Sequence, residues 1–178
     1  SATETVVIGA YAGDAITTGG NNIAIGHKAL STVSTGQGNT AMGREAMRDS
    51  SAGATGNTAI GQNALFSSGT PTGTTAFGWS ASYYPTGNYN VFLGYKAGYG
   101  DVSTNSAHNN VAVGKESLNS IQSGQENVAI GDQAGYSITS ADYSVAIGTD
   151  ALRAVTTGHG NIGIGRYAGS ALGADQYT

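Results

Sequence analysis

A three-residue pattern, large–small–large, recurs along the chain, and each time a glycine follows it. Those glycines are Gly9, Gly26, Gly43, Gly61, Gly78, Gly94, Gly114, Gly131, Gly148 and Gly165, at intervals of 17, 17, 18, 17, 16, 20, 17, 17 and 17 residues. The residue before the glycine is apolar in every repeat: Ile8, Ile25, Met42, Ile60, Phe77, Leu93, Val113, Ile130, Ile147 and Ile164. Two residues earlier stands a β-branched residue, as Val6, Ile23, Thr40, Thr58, Thr75, Val91, Val111, Val128, Val145 or Ile162. Between them the residue is Ala or Gly, except at Val7 and Phe92. A period of two with β-branched residues on one face predicts a short strand. The small residues on its other face predict a second buried side with little room.

The rest of the repeat is also patterned. Two variable residues follow the glycine, then Ala in nine of ten repeats, with Ser117 in the tenth. Seven residues after the glycine an apolar position returns at Ile16, Val33, Ile121, Ile138, Val155 and Leu172, and near the tenth residue glycine often returns. Each unit therefore reads as strand, glycine turn, second short strand, glycine turn. Asn directly precedes the strand in seven repeats, at Asn22, Asn39, Asn57, Asn90, Asn110, Asn127 and Asn161. Stacked Asn side chains hydrogen-bond along a ladder and satisfy turn backbone, which is the structural role expected here. A regular interval of this length marks a repeat architecture. The expectation is an all-β solenoid of about ten 17-residue repeats forming one domain over residues 1–178.

A coil this short has space inside for little but Ala, so the larger face of each strand must point away from its own interior. Exposed to water, it would form a continuous apolar stripe down the molecule. Burying one such side chain is worth about 1.5–3 kcal/mol, and a stripe of that extent marks an interface. Identical chains bury identical stripes around a closed axis. Ile8, Ile25, Met42, Ile60, Phe77, Leu93, Val113, Ile130, Ile147 and Ile164 are the expected core of that assembly.

Composition narrows the functional classes. Glycine numbers 29 of 178 residues and only 10% are charged, but the hydrophobic patterning argues against disorder. With a net charge of −4 and seven Lys plus Arg, no basic face for nucleic acid can be assembled. Cysteine is absent, which excludes disulfides and thiolate metal sites. No apolar run is long enough to span a membrane as a helix, so no membrane insertion is expected, and no signal peptide is visible. The chain starts inside its first repeat, so a fragment of a longer fibre is expected.

Ser144-Val145-Ala146-Ile147-Gly148, Asn127-Val128-Ala129-Ile130-Gly131 and Asn22-Ile23-Ala24-Ile25-Gly26 resemble the repeat of the YadA-like head of trimeric autotransporter adhesins. That resemblance covers about Thr5 to Gly169. It implies a left-handed parallel β-roll in a homotrimer, with chains intertwined or side by side. Those heads repeat every 14 to 16 residues, whereas this chain prefers 17. The longer unit, as in Gly56-Asn57-Thr58-Ala59-Ile60-Gly61-Gln62-Asn63-Ala64-Leu65, is similar to repeats of phage tail-fibre proteins. The resemblance thus implies an extracellular, adhesive or receptor-binding fibre head, on a virion tail fibre or, alternatively, on a bacterial outer surface. Its partner would be a cell-surface glycan or protein receptor.

The candidate contact residues come from an irregularity. Eight of the fourteen aromatics lie between residues 77 and 99. Phe77 and Phe92 occupy core columns. Trp79 and Tyr95 share the column after the glycine, which elsewhere holds His27, Arg44, Gln62, Lys115, Asp132 and Arg166. Together with Tyr83, Tyr84 and Tyr99 they form the candidate receptor-binding set, since outward amphipathic rings suit sugar faces and protein partners. The competing reading is that the rings pack over one another to cover an imperfect rung. The long interval containing Asp101 to Asn109 is expected to protrude as a second contact.

Other chemistries weigh less. Glu116 and Asp132 stand one rung apart in adjacent columns, which permits a glycosidase-like pair, but solvated charge explains them and no enzyme is expected. His27, His108 and His159 lack metal-like spacing, and Gly19-Gly20-Asn21-Asn22 lacks the recurring Asp of calcium repeats. Neither a metal nor a cofactor is expected. Thr40, Thr58 and Thr75 align over three rungs, as in an ice-binding array, but in the column facing the assembly core, where they form a polar layer.

Overall fold

The computed structural model describes residues 4–84, 87–101 and 106–172. Its strands are β1 (Val6–Ile8), β2 (Ile23–Ile25), β3 (Thr40–Met42), β4 (Asp49–Ser50), β5 (Thr58–Ile60), β6 (Ser67–Ser68), β7 (Thr75–Phe77), β8 (Val91–Leu93), β9 (Val111–Val113), β10 (Val128–Ile130), β11 (Val145–Ile147) and β12 (Ile162–Ile164). Ten of them form one parallel sheet in the order β1-β2-β3-β5-β7-β8-β9-β10-β11-β12. The result is an all-β solenoid of about nine turns. Register is maintained rung by rung, with Val6 opposite Ile23, Val7 opposite Ala24 and Ile8 opposite Ile25, and so on down the stack. A rise of about 4.8 Å per rung makes a rod on the order of 45 Å long.

The strands are short because the backbone turns immediately after them. Each rung glycine has φ between +118° and +137°. From Gly9 to Gly148, an added Cβ would lie 2.4–2.8 Å from the carbonyl oxygen of the next rung's glycine. Both the dihedral and the contact exclude any other residue. The second and fourth residues after the glycine then adopt left-handed conformations in every rung, as at Lys28 (φ 55°) and Leu30 (φ 54°). Such geometry costs about 1–2 kcal/mol at a non-glycine residue. Full burial of Leu30, Met47, Leu65, Leu118 and Leu152 offsets it by a comparable amount.

One departure from the expected unit lies just beyond these turns. A second strand in every rung is not what forms: among the described residues only β4 and β6 pair as one, with an isolated bridge at Thr55 and Thr72. β4 and β6 end on Ser50 and Ser68, at the seventh position after the glycine; where that position is Val33, Ile121, Ile138 or Val155, the chain bends instead of pairing.

The interior is filled by columns. Ala24, Ala41, Ala59, Ala76, Ala112 and Ala129 from the strands face Ala29, Ala46, Ala64, Ala81, Ala97 and Ala134 from the turns, all fully buried. Where the turn carries Leu, its side chain also reaches the neighbouring rung. Thus a Cβ on Gly135 would come within 3.0 Å of Leu118 Cδ2, and one on Gly169 within 2.7 Å of Leu152 Cδ2. Phe92 reverses this scheme: its ring takes the small column and lies where Gly98 leaves room, 2.5 Å from a Cβ placed there.

Asn forms the expected ladder, on the inside. Asn22, Asn39, Asn57, Asn90, Asn110, Asn127 and Asn161 are buried. Asn39 Nδ2 donates to Asn22 Oδ1 at 3.1 Å and to the Ala54 carbonyl at 2.7 Å. Asn127 repeats this with Asn110 Oδ1 at 3.0 Å and the Ala141 carbonyl at 2.7 Å. Thr74 and Ser144 interrupt the series without breaking it, since the Thr74 and Ser144 amides donate to Asn57 and Asn127 Oδ1, each at 2.9 Å. The buried Asn side chains of this column thereby find partners within the coil.

Candidate functional site

The outward strand face carries two apolar columns, and the isolated chain leaves them partly open. Ile8, Met42, Phe77, Ile130, Ile162 and Ile164 are exposed, Ile164 to 67%, while Ile25, Ile60, Leu93, Val113 and Ile147 are half-buried by their neighbours in the stack. Thr40, Thr58 and Thr75 stand in register within this face, also half-buried.

The five candidate aromatics come together on one surface. Within a turn the second and fifth residues after the glycine, three apart, become neighbours, as at Lys96 and Tyr99, Glu45 and Arg48, and Asp150 and Arg153. Trp79 and Tyr95, one rung apart, meet edge to face with centroids 5.5 Å apart, and Trp79 is 56% exposed. Tyr83 and Tyr99 occupy the fifth position of successive rungs and stack at 5.1 Å and 18°. Tyr84 stands edge-on to both, at 4.5 and 5.6 Å. Lys96 joins the two groups, its Nζ lying 5.4 Å from the Tyr95 centroid and 5.1 Å from that of Tyr99.

Three members of this surface were not singled out from the sequence. Phe66 precedes Tyr83 in the same column and stacks on it at 4.6 Å and 11°. Arg48 precedes Phe66, its guanidinium 4.2 Å from the ring centroid. Arg48, Phe66, Tyr83 and Tyr99 thus form one ladder along the rod. Reading the fifth column after the glycine, as was done for the first, would have found Phe66 and Arg48. Lys96 was masked by standing among ordinary polar residues of the second column.

Electrostatics distinguish the two ends of the ladder. Arg48 donates to Asp49 at 2.6 and 3.0 Å and approaches Glu45 at 3.5 Å. That hydrogen bond holds the guanidinium further above its already high range. Burial pushes the Tyr83 phenol up, with Tyr84 and Tyr99 adding to it. Tyr99 is raised by burial and by Tyr84, against an opposing effect of Lys96. Both phenols are therefore neutral donors over the physiological range.

The remaining candidates fall elsewhere. Glu116 and Asp132 both face Lys115, at 3.7 and 3.9 Å, and Glu116 also accepts from Gln133 Nε2 at 2.8 Å. His27 meets the edge of Tyr11 at 6.1 Å. His108 and His159 each stand six residues before a rung glycine, where Nδ1 accepts the amide of the preceding rung: Asn88 N–H at 2.9 Å and Asp142 N–H at 3.1 Å. Asn88 and Asp142 side chains do the same for Thr72 and Gln125. This outer ladder, spread over Asn, Asp and His, escapes a search for one repeated residue type. Among the described residues, no group of three or more His, Asp and Glu could hold a metal ion. Of the expected protruding interval, residues 102–105 lie outside the described residues, as do residues 173–178 at the C-terminal end.

No protein-family profile, curated protein or solved structure matches the chain.

Proposed function

We propose that the chain is the receptor-binding head of a homotrimeric extracellular fibre, a phage tail-fibre tip that holds a bacterial surface receptor. The observation that carries the reading is the outward surface of Trp79, Tyr95, Lys96, Tyr99, Tyr83 and Tyr84 on a rigid rod. An exposed Trp79 beside half-buried tyrosines, held by a regular scaffold, supplies contact area with little entropy to lose on binding. The outward apolar columns support self-association, because an unbroken stripe from Ile8 to Ile164 would otherwise face water. The number three and the tail-fibre setting rest on the resemblance, in particular on the 17-residue unit with its Ala-Leu or Ala-Gly ending. The turn geometry gives that ending a physical meaning, since Ala and Leu both point into the coil.

A labelled chain, first checked by light scattering for about three times 17.7 kDa, is to be applied to a panel of bacterial strains and to immobilised matrix proteins. Binding confined to particular strains, and lost when their surface glycans are stripped, supports the tail-fibre reading. Binding to matrix proteins alone replaces it with a bacterial adhesin head. Binding to neither, or a monomeric mass, overturns the proposal.

A further inference from the structure

Lys96 differs from the other cations of the aromatic surface. Arg48, at the far end of the ring ladder, is neutralised by Asp49 and Glu45. Lys115, one rung beyond Tyr95 in the same column, is shared by Glu116 and Asp132. Glu116 is the carboxylate next to Lys96 in its own column, and it is turned toward Lys115 and Gln133. Among the described residues, the Lys96 ammonium therefore meets ring faces, those of Tyr95 and Tyr99, and no carboxylate within ion-pair distance. It stands between the pair of exposed Trp79 and half-buried Tyr95 and the stack Tyr83–Tyr99.

A cation over π-faces is partly stripped of water and keeps its capacity to bind an anion. The rings beside it offer the flat apolar platforms on which the C–H faces of a pyranose rest. The chain as a whole carries −4, so it does not draw polyanions from a distance. Recognition of an anion must then be local: one carboxylate beside one apolar ring face. Nucleic acid, which requires several phosphate contacts, does not fit.

We infer that this surface binds an acidic saccharide, with a sugar ring laid against Trp79 and Tyr95 and its carboxylate on Lys96. The inference rests on the receptor-binding reading and names the chemistry of the receptor.

The test uses the full chain in its native assembly. The probes are polygalacturonate, hyaluronan and polysialate, each beside the same polymer with its carboxylates reduced to alcohols. At least one acidic polymer is expected to bind about ten-fold or more tightly than its reduced form, the worth of one charge-assisted hydrogen bond. Lys96→Met keeps the aliphatic stem and removes the charge. It is expected to erase that difference while the unfolding temperature stays unchanged. Trp79→Ala is expected to weaken both forms alike.

Equal binding of acidic and reduced polymers, or a preference that survives Lys96→Met, overturns the acidic assignment and leaves the receptor-binding reading intact. Strain-specific cell binding that withstands glycan stripping but not protease, with no polymer bound, also overturns it in favour of a protein receptor. Absence of binding to any cell defeats the receptor-binding reading itself.

Discussion

The rungs from Gly43 to Gly94 and those from Gly114 to Gly165 share one scaffold and differ at two positions. In the later set the seventh residue after the glycine is Ile121, Ile138, Val155 or Leu172, and the first three are buried inside the coil. In the central set that position holds Ser50, Ser68, Pro85 or Asp101. The fifth position changes the opposite way, from Asn119, Tyr136, Arg153 and Ser170 to Arg48, Phe66, Tyr83 and Tyr99. An ordinary rung closes on an aliphatic plug; the central rungs have moved their apolar mass outside, as a ring ladder. Phe66 is buried by that ladder and Tyr83 and Tyr99 are half-buried, so these rings cover the coil. Trp79 belongs to neither device. Its ring is more than half exposed although the closure of the rung does not need it. The aromatic cluster thus divides into a part that covers the coil and a part, Trp79, that stays exposed.

The largest effect should be common to both regions. Gly94→Ala and Gly131→Ala place a Cβ against the backbone of the next rung, at 2.5 and 2.7 Å. Each should lose about 5 kcal/mol or more, read as collapse of the cooperative melting transition. Gly165→Ala meets nothing within 4 Å and should suffer only the dihedral strain, about 1–3 kcal/mol. Equal losses at all three would mean that rung-to-rung contact is not what requires glycine.

Next comes the rung that reverses the packing scheme. Phe92→Ala should cost about 4 kcal/mol by leaving a cavity. Adding Gly98→Leu rebuilds the Ala112/Leu118 arrangement found one rung later and should recover much of that loss, whereas Gly98→Leu alone clashes with the ring. A double-mutant cycle in denaturant measures the coupling. Additive losses would contradict the account.

A smaller contrast follows at the seventh position. Ile138→Ala should cost about 3 kcal/mol. Ser50→Ala should cost about 1 kcal/mol, since it removes one hydroxyl rather than an aliphatic plug and opens no sizeable cavity. Comparable melting shifts at the two sites would erase the distinction between regions.

The smallest effect is alkaline. Tyr83 and Tyr99 have phenols raised by burial, so the folded chain favours their neutral form. Their contribution to stability is complete below pH about 10 and is lost as pH rises through the folded values. Ultraviolet titration should show a tyrosine fraction ionising late, and Tyr83→Phe/Tyr99→Phe should remove it.

Much of the scaffold was legible because the solenoid repeats one chemical decision per column. A glycine at φ near +130°, an Ala facing inward and an Asn bonding the next rung each leave a strict residue preference, so Gly131, Ala129 and Asn127 announce themselves. The turns were not legible, since left-handed conformations at Lys28, Glu45 and Asp150 fall on residues with no shared chemistry. The second strand expected in each rung forms, among the described residues, only as β4 and β6. Within the aromatic surface, Trp79 and Tyr95 stood out by breaking a polar column, while Lys96 conformed to one. Its position emerges only where the turn after Gly94 sets its ammonium over both Tyr95 and Tyr99. The outward apolar columns from Ile8 to Ile164 were legible in the sequence as a pattern.

The most direct test of the division within the aromatic cluster is cell binding by the Trp79→Ala/Tyr95→Ala variant, set beside its melting curve. The account predicts an unfolding temperature close to that of the parent, because partly exposed rings of this kind contribute about 0.5 kcal/mol or less each, together with loss of binding to the cells the parent holds. A variant that melts early yet still binds would show that these rings cover the coil and that the receptor is held elsewhere.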